Sequence, residues 1–138
     1  MSTFTGLYEV RDMIEEDKNF ILATFLRGLY YGDSWFSEIA KDIFMTNYKP
    51  VVEKFLNDPI KYTVKVACLK EDPTVIIGYS ILSADYQGIT WVYVKSAWRK
   101  RGIAKSLTPR YPTYVTHLTA LGKVLMKKFE TNVIFNPF

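Results

Sequence analysis

The stretch Trp91–Leu107, WVYVKSAWRKRGIAKSL, constrains the chain more than any other. Ile89–Val94 is an apolar, β-rich run, and Gly102 opens a short helical segment, Ile103–Leu107. Arg99, Lys100 and Arg101 stand between them. A strand that turns into a helix start through a basic, glycine-marked loop makes an anion cradle. The first N–H groups of the helix have no intrahelical partner, and the peptide dipoles add partial positive charge there. A phosphate or pyrophosphate fits such an end. Gly102 allows close backbone approach, and Ala104 is too small to block it.

Such a strand needs a sheet, and the chain has the means to build one. Its 138 residues fit one domain, 1–138, and 49% apolar against 23% charged residues suffice for a core without disulfide staples. Aromatics reach 16%, more than so small a core can hold, so some must line a surface or a cleft. Cys68, the one cysteine, lies in an apolar run and can form no internal disulfide. It is expected to be buried and inert, and its solitude suits a reducing cytoplasm. The polar N-terminus lacks the apolar segment of a signal peptide, and no run approaches the ~20 residues of a membrane span. The expectation is a cytoplasmic protein without a membrane partner.

The net charge of +4 hides an asymmetry. Residues 86–129 hold nine Lys or Arg and no acid, whereas residues 1–85 hold nine Lys or Arg against thirteen acids. The C-terminal part should attract anions and the N-terminal part cations.

Local patterns give the rest of the order. Leu7–Val10 reads as a first strand. Asp17 is a candidate cap for a helix from Lys18 to Leu29, with Ile21, Phe25 and Leu29 on one face and Gly28 near its end. Tyr30-Tyr31-Gly32-Asp33 reads as a break. Ser34 or Ser37 is expected to start a second helix with Phe36, Ile39, Ala40 and Ile43 as its stripe. Pro50 should restart it or sit in a first turn, and Asn57-Asp58-Pro59 should end it. Tyr62–Leu69 and Thr74–Ser83 form a hairpin of strands, with Gly78 marking a bulge, followed by Ile89–Val94. Pro109 limits the helix after the cradle to about two turns. Thr113–Leu118 reads as a strand, Ala120–Phe129 as a helix and Asn132–Phe138 as a last short strand. The order is β-α-α-β-β-β-α-β-α-β, a mixed α/β fold.

Arg99-x-x-Gly102-x-Ala104 resembles the Arg/Gln-x-x-Gly-x-Gly/Ala signature of the GNAT superfamily of N-acetyltransferases. Val94-Lys95-Ser96-Ala97-Trp98-Arg99 keeps the spacing of the family's Val-x-Pro-x-x-Arg, with Ser96 where proline is usual. The resemblance implies the GNAT fold and acetyl-coenzyme A bound by its pyrophosphate at this loop. The backbone of Val92 and Val94 would pair with the pantetheine arm. The amides of Arg101, Gly102, Ile103, Ala104 and Lys105 would hold most of the phosphates, with side chains of Arg99, Lys100 and their neighbours holding part. The aromatic loop around Tyr30, Tyr31 and Trp35 would border the site of a small-molecule or peptide amine.

The chain departs from the family where protons are handled. Many members place a glutamate on the strand matching Ile89–Val94, and this one has none. Many use a tyrosine on the last helix, near the position of Met126 here. Substitutes are Tyr93 on the strand, Tyr79 beside it, Asp85 at the hairpin end and His117, the only histidine, whose ordinary pKa near ~6.5 suits base work. One His, one Cys and scattered acids make no metal site. Three readings follow: an acetyl-coenzyme A-dependent N-acetyltransferase, a domain that binds coenzyme A with little catalysis, and a basic nucleic-acid binder stacking bases on Trp91, Tyr93, Trp98, Tyr111 and Tyr114. The apolar neighbours of Trp91 and Tyr93 imply half-burial, which leaves the last reading fewer stacking platforms. Exposed aromatics near the C-terminus would suit a homodimer.

Overall fold

A computed structural model describes residues 6–117 and 133–137. Within them six strands form one sheet in chain order: β1 (Tyr8–Asp12), β2 (Tyr62–Leu69), β3 (Ile76–Ser83), β4 (Gly88–Val94), β5 (Tyr114–Val115) and β6 (Ile134–Phe135). β1 to β4 are antiparallel, whereas β4–β5 and β5–β6 are parallel. Helices α1 (Lys18–Gly32) and α2 (Lys41–Leu56) bury Ile21, Phe25, Leu29, Phe44 and Val52 against Tyr79, Ile81 and Trp91 on one face. On the other, α3 (Ile103–Leu107) buries Ile103 and Leu107 against Ala67, Ile77 and Val94. This is the mixed α/β fold expected. The predicted helix Ala120–Phe129, with Met126, lies outside the described residues.

Helix α1 runs past its expected end. Tyr30-Tyr31-Gly32 belong to its last turn, and the break falls at Asp33. Tyr30 is buried and its hydroxyl donates to the Ile39 carbonyl at 2.7 Å, which holds that turn in the core. Asp33 then accepts the N–H groups of Trp35 and Phe36. Asp17 gives α1 no side-chain cap. Its carboxylate instead accepts Ile14 N–H at 2.8 Å and a two-pronged bond from Arg11 at 2.7 and 3.0 Å. Gly28 is interior to α1, and its reason is packing: a Cβ there would stand 2.9 Å from the Trp91 indole.

Helix α2 starts at Lys41, later than Ser34 or Ser37, because Phe36–Glu38 is a separate 3-10 turn. Ile43 is exposed and Phe44 takes its place in the core. Pro50 lies inside α2 without a restart. The carbonyl it leaves unpaired belongs to Thr46, and both residues are exposed, so water can reach it.

β3 begins at Ile76, after a turn in which Asp72 accepts from Thr74 N and Oγ1. The bulge expected at Gly78 lies beside it: Ala67 pairs Gly78 but Cys68 pairs Ile76, leaving Ile77 extra and turned toward α3. A second irregularity, between β3 and β4, leaves Thr90 extra. β5 and β6 are two residues each, shorter than the segments 113–118 and 132–138 suggested. Cys68 is fully buried.

Candidate cofactor site

β5 touches β4 only at its beginning. The pairs are Gly88 with Tyr114 and Ile89 with Val115, closed by Thr116 N–H to the Ile89 carbonyl at 3.1 Å. Among the described residues, Trp91–Val94 pair with β3 alone. Lys95 N–H donates to the Ile77 carbonyl at 2.8 Å, which sets the alternation: Trp91 and Tyr93 direct their peptide groups to β3. Val92 and Val94 therefore direct theirs into the side that β5 has left. The extra residue Thr90 makes the change of phase, since Ile89 faces β5. Such an edge suits an extended ligand, whose polar groups can pair with these peptide groups. Arg99 Nε already donates to the Val94 carbonyl at 3.0 Å.

The strand ends in a 3-10 turn, Ser96–Trp98, and the basic loop follows. Lys100 has φ +63° and Gly102 φ +80°, two left-handed residues within three. The backbone thus turns sharply toward α3. A Cβ at Gly102 would meet nothing within 4 Å, so nothing among the described residues crowds the loop at that point. The first helical bond is Ser106 N–H to the Gly102 carbonyl, which leaves the amides of Ile103, Ala104 and Lys105 ahead of it. Arg99, Lys100, Arg101 and Lys105 are exposed, and Arg101 lies over the Trp98 ring at 5.4 Å. The short helix is secured at its far end by side chains. Ser106 donates to the Ile103 carbonyl, Thr108 to that of Ala104 and Ser80 to that of Leu107. An open turn with exposed cations and unclaimed helix-start amides fits a pyrophosphate.

No protein-family model and no curated protein matches the sequence. Solved structures do match. A "possible acetyltransferase" from Clostridium difficile shares 16% identity over 94% of this chain and 80% of its own, with a TM-score of 0.53. The PaiA N-acetyltransferase from Thermoplasma acidophilum, solved in complex with coenzyme A, shares 16% over 72% and 66%, with a TM-score of 0.50. An acetyltransferase of the GNAT family from Staphylococcus aureus shares 15% over 72% and 60%, with a TM-score of 0.50. The fold is that of the GNAT acetyltransferases.

On this GNAT fold the predicted proton-handling residues do not all meet. Asp85 sits in the β3–β4 turn, where it accepts from the Ser83 hydroxyl and Gln87 N–H; these bonds hold its carboxyl below the usual range. It shapes the turn, at the opposite end of β4 from the cradle, and is no candidate base. Tyr93 lies half-buried, stacked on Tyr79 at 5.2 Å with Phe20 edge-on at 5.9 Å. His117 sits just past the fork. Its Nε2 is 2.6 Å from the Tyr48 hydroxyl and its Nδ1 2.9 Å from Thr116 Oγ1.

The aromatic loop also divides. Tyr30 is core and cannot wall an acceptor site. Tyr31 and Trp35 are exposed, and Trp35 joins Phe36, Ile43, Phe44 and Tyr48 around an apolar cavity of about 280 Å³. Tyr48 was not singled out from sequence. The signal available was only a tyrosine four residues after Phe44, on the same helix face. Trp91 is buried and stacked on Phe25 at 4.3 Å, which removes it as a platform for nucleic-acid bases. Among the described residues no helix is long and apolar enough to cross a membrane, and no His, Cys, Asp and Glu side chains group as a metal site.

Proposed function

We propose that the chain is an acetyl-coenzyme A-dependent N-acetyltransferase that transfers the acetyl group directly to an amine. The observation that carries this reading is the fork between β4 and β5 opening beside the uncrowded Gly102 cradle. The cradle offers amides and exposed cations to a diphosphate. The peptide groups of Val92 and the N–H of Val94 offer an extended arm the partners a strand would otherwise supply, while Arg99 holds the Val94 carbonyl. From Val94 to Thr90 that edge spans roughly 13 Å at about 3.3 Å per residue, so the thiol end of the arm reaches the fork. Holding thioester and amine side by side supplies much of the rate in such a transfer, and peptide N–H groups aimed at the thioester oxygen supply more. The coenzyme A complex of the Thermoplasma acidophilum relative supports the cofactor assignment.

A second reading, a domain that binds coenzyme A but transfers slowly, draws on one observation: no residue of β4 is acidic. Two measurements separate the readings. Coenzyme A should raise the melting midpoint under both, by linkage. Thiol release from acetyl-coenzyme A with a panel of amines should occur only under the first. Absence of any shift with coenzyme A would refute both.

A further inference from the structure

Behind the fork lies a polar pair that local sequence does not connect. Tyr48 of α2 and His117, 69 positions later, meet at 2.6 Å among the rings of Phe25, Phe55 and Trp91. Tyr48 also stacks on Phe44 at 5.4 Å and forms part of the apolar cavity beside Trp35 and Phe36. One end of the pair thus faces a cavity, and the other reaches the point where β5 parts from β4. We propose that Tyr48 and His117 are a proton relay: the attacking amine gives its proton to the Tyr48 oxygen while the Tyr48 hydroxyl proton passes to His117 Nε2. This rests on the acetyltransferase reading above.

The hydrogen-bond directions agree. Nδ1 lies beside Thr116 Oγ1, and the Thr90 backbone bonds the imidazole as well. A proton on Nδ1 serves these partners and leaves Nε2 to accept from Tyr48. Tyr48 donates its one proton there and keeps its oxygen lone pairs for an incoming N–H. Burial pushes the Tyr48 hydroxyl up to about 12 and His117 down to about 4, so near neutrality one is a donor and the other a neutral acceptor. Among the described residues, the titratable groups acting on His117 are Tyr48 from α2 and Asp33 after α1; Phe25, Phe55 and Trp91 bear no charge. Asp33 favours the imidazolium that the relay forms in passing.

In the step, the amine nitrogen bonds the thioester carbonyl carbon and the carbon–sulfur bond breaks, its electron pair leaving on sulfur. One N–H proton moves to the Tyr48 oxygen and the Tyr48 proton to Nε2. The imidazolium returns its proton through Tyr48 to the thiolate. The products are the amide and the free thiol, and both residues are restored.

The test uses the full chain with acetyl-coenzyme A and two probe amines, phenethylamine and hydroxylamine. Tyr48→Phe and His117→Gln should each lower kcat by about 10²-fold or more, with the coenzyme A-dependent melting shift retained. The double variant should fall little further than the worse single one, because the pair acts as a unit. In His117→Gln the acid limb of kcat/KM should lose the step near pH 4 and keep only that of the amine itself, which a merely structural contact would not produce. If His117→Gln does not fold, Tyr48→Phe, which keeps the ring on Phe44, carries the test. Unchanged kcat and pH profile in the variants would overturn the relay. So would a wild-type protein that is stabilised by coenzyme A but releases no thiol with either amine. A wild-type protein that coenzyme A does not stabilise would overturn the acetyltransferase reading itself.

Discussion

Arg99 Nε and the Val94 carbonyl are joined at 3.0 Å, so the first residue of the basic loop closes back on the last residue of β4. That carbonyl points away from β3, and the guanidinium supplies its partner. The loop is thereby tied to the strand before any ligand arrives, which favours binding by lowering its ordering cost. Arg99→Ala should cost about 1–2 kcal/mol of coenzyme A affinity, read as a roughly tenfold weaker dissociation constant in calorimetry. The melting midpoint without ligand should move far less.

Gly102 has φ +80° and open space around its Cβ position. Gly102→Trp places a large ring where the diphosphate is expected and a side chain in a backbone region that costs about 1–2 kcal/mol. The protein should still fold. Wild-type protein at about a hundred times its dissociation constant gains ~2.7 kcal/mol from ligand, and the variant should gain nothing. A preserved shift would exclude the cradle.

The Arg11–Asp17 pair is mostly buried, with 4% of the Asp17 side chain exposed and both carboxylate oxygens engaged by the guanidinium. This pairing raises the Arg11 pKa further above its ordinary value. Asp17→Ala should destabilise by about 1.5–3 kcal/mol, because it removes a charged partner from a half-buried guanidinium. It also frees the Ile14 N–H that enters α1. Urea unfolding of the variant measures the loss directly.

Burial holds His117 at about 4 instead of 6.5, so the folded state takes up a proton less readily than the unfolded chain. The stability contributed by the neutral ring is full above about pH 6.5 and lost as pH falls toward 4. At about 1.4 kcal/mol per pH unit the loss reaches ~3 kcal/mol across that window. Comparing urea unfolding at about pH 7 and about pH 4 for wild type and His117→Gln isolates it. The variant should show the smaller decline.

Pro50 sits inside α2 at an exposed position and denies the Thr46 carbonyl its helical donor. Pro50→Ala restores that bond and should stabilise the protein by about 1–3 kcal/mol. A lower melting midpoint in the variant would mean that the proline fixes a bend the fold needs.

The parts that local chemistry governs were legible. The bounds of α3 at Ile103–Leu107 and of β2 at Tyr62–Leu69 follow from Gly102, the prolines and β-branched alternation. The helix boundaries near Tyr30 and Lys41 were not, because a hydrogen bond from Tyr30 to Ile39 and an aspartate-closed turn at Asp33 decide them. Pro50 misled for a related reason: packing of Phe44, Val52 and Leu56 on the sheet outweighs one lost helical bond. The cradle loop was readable as residues, but not the open space at Gly102, which depends on where Trp98 and Arg101 fold away.

By itself the sequence determined a strand, a basic turn and a short helix in succession, since spacing, glycine and proline act between neighbours. Only the tertiary structure decided that β5 leaves β4 after Ile89 and that Tyr48 meets His117 there. Those contacts join residues tens of positions apart. They exist because two helices and a bulged strand bury the same aromatic faces, and no local pattern encodes that meeting.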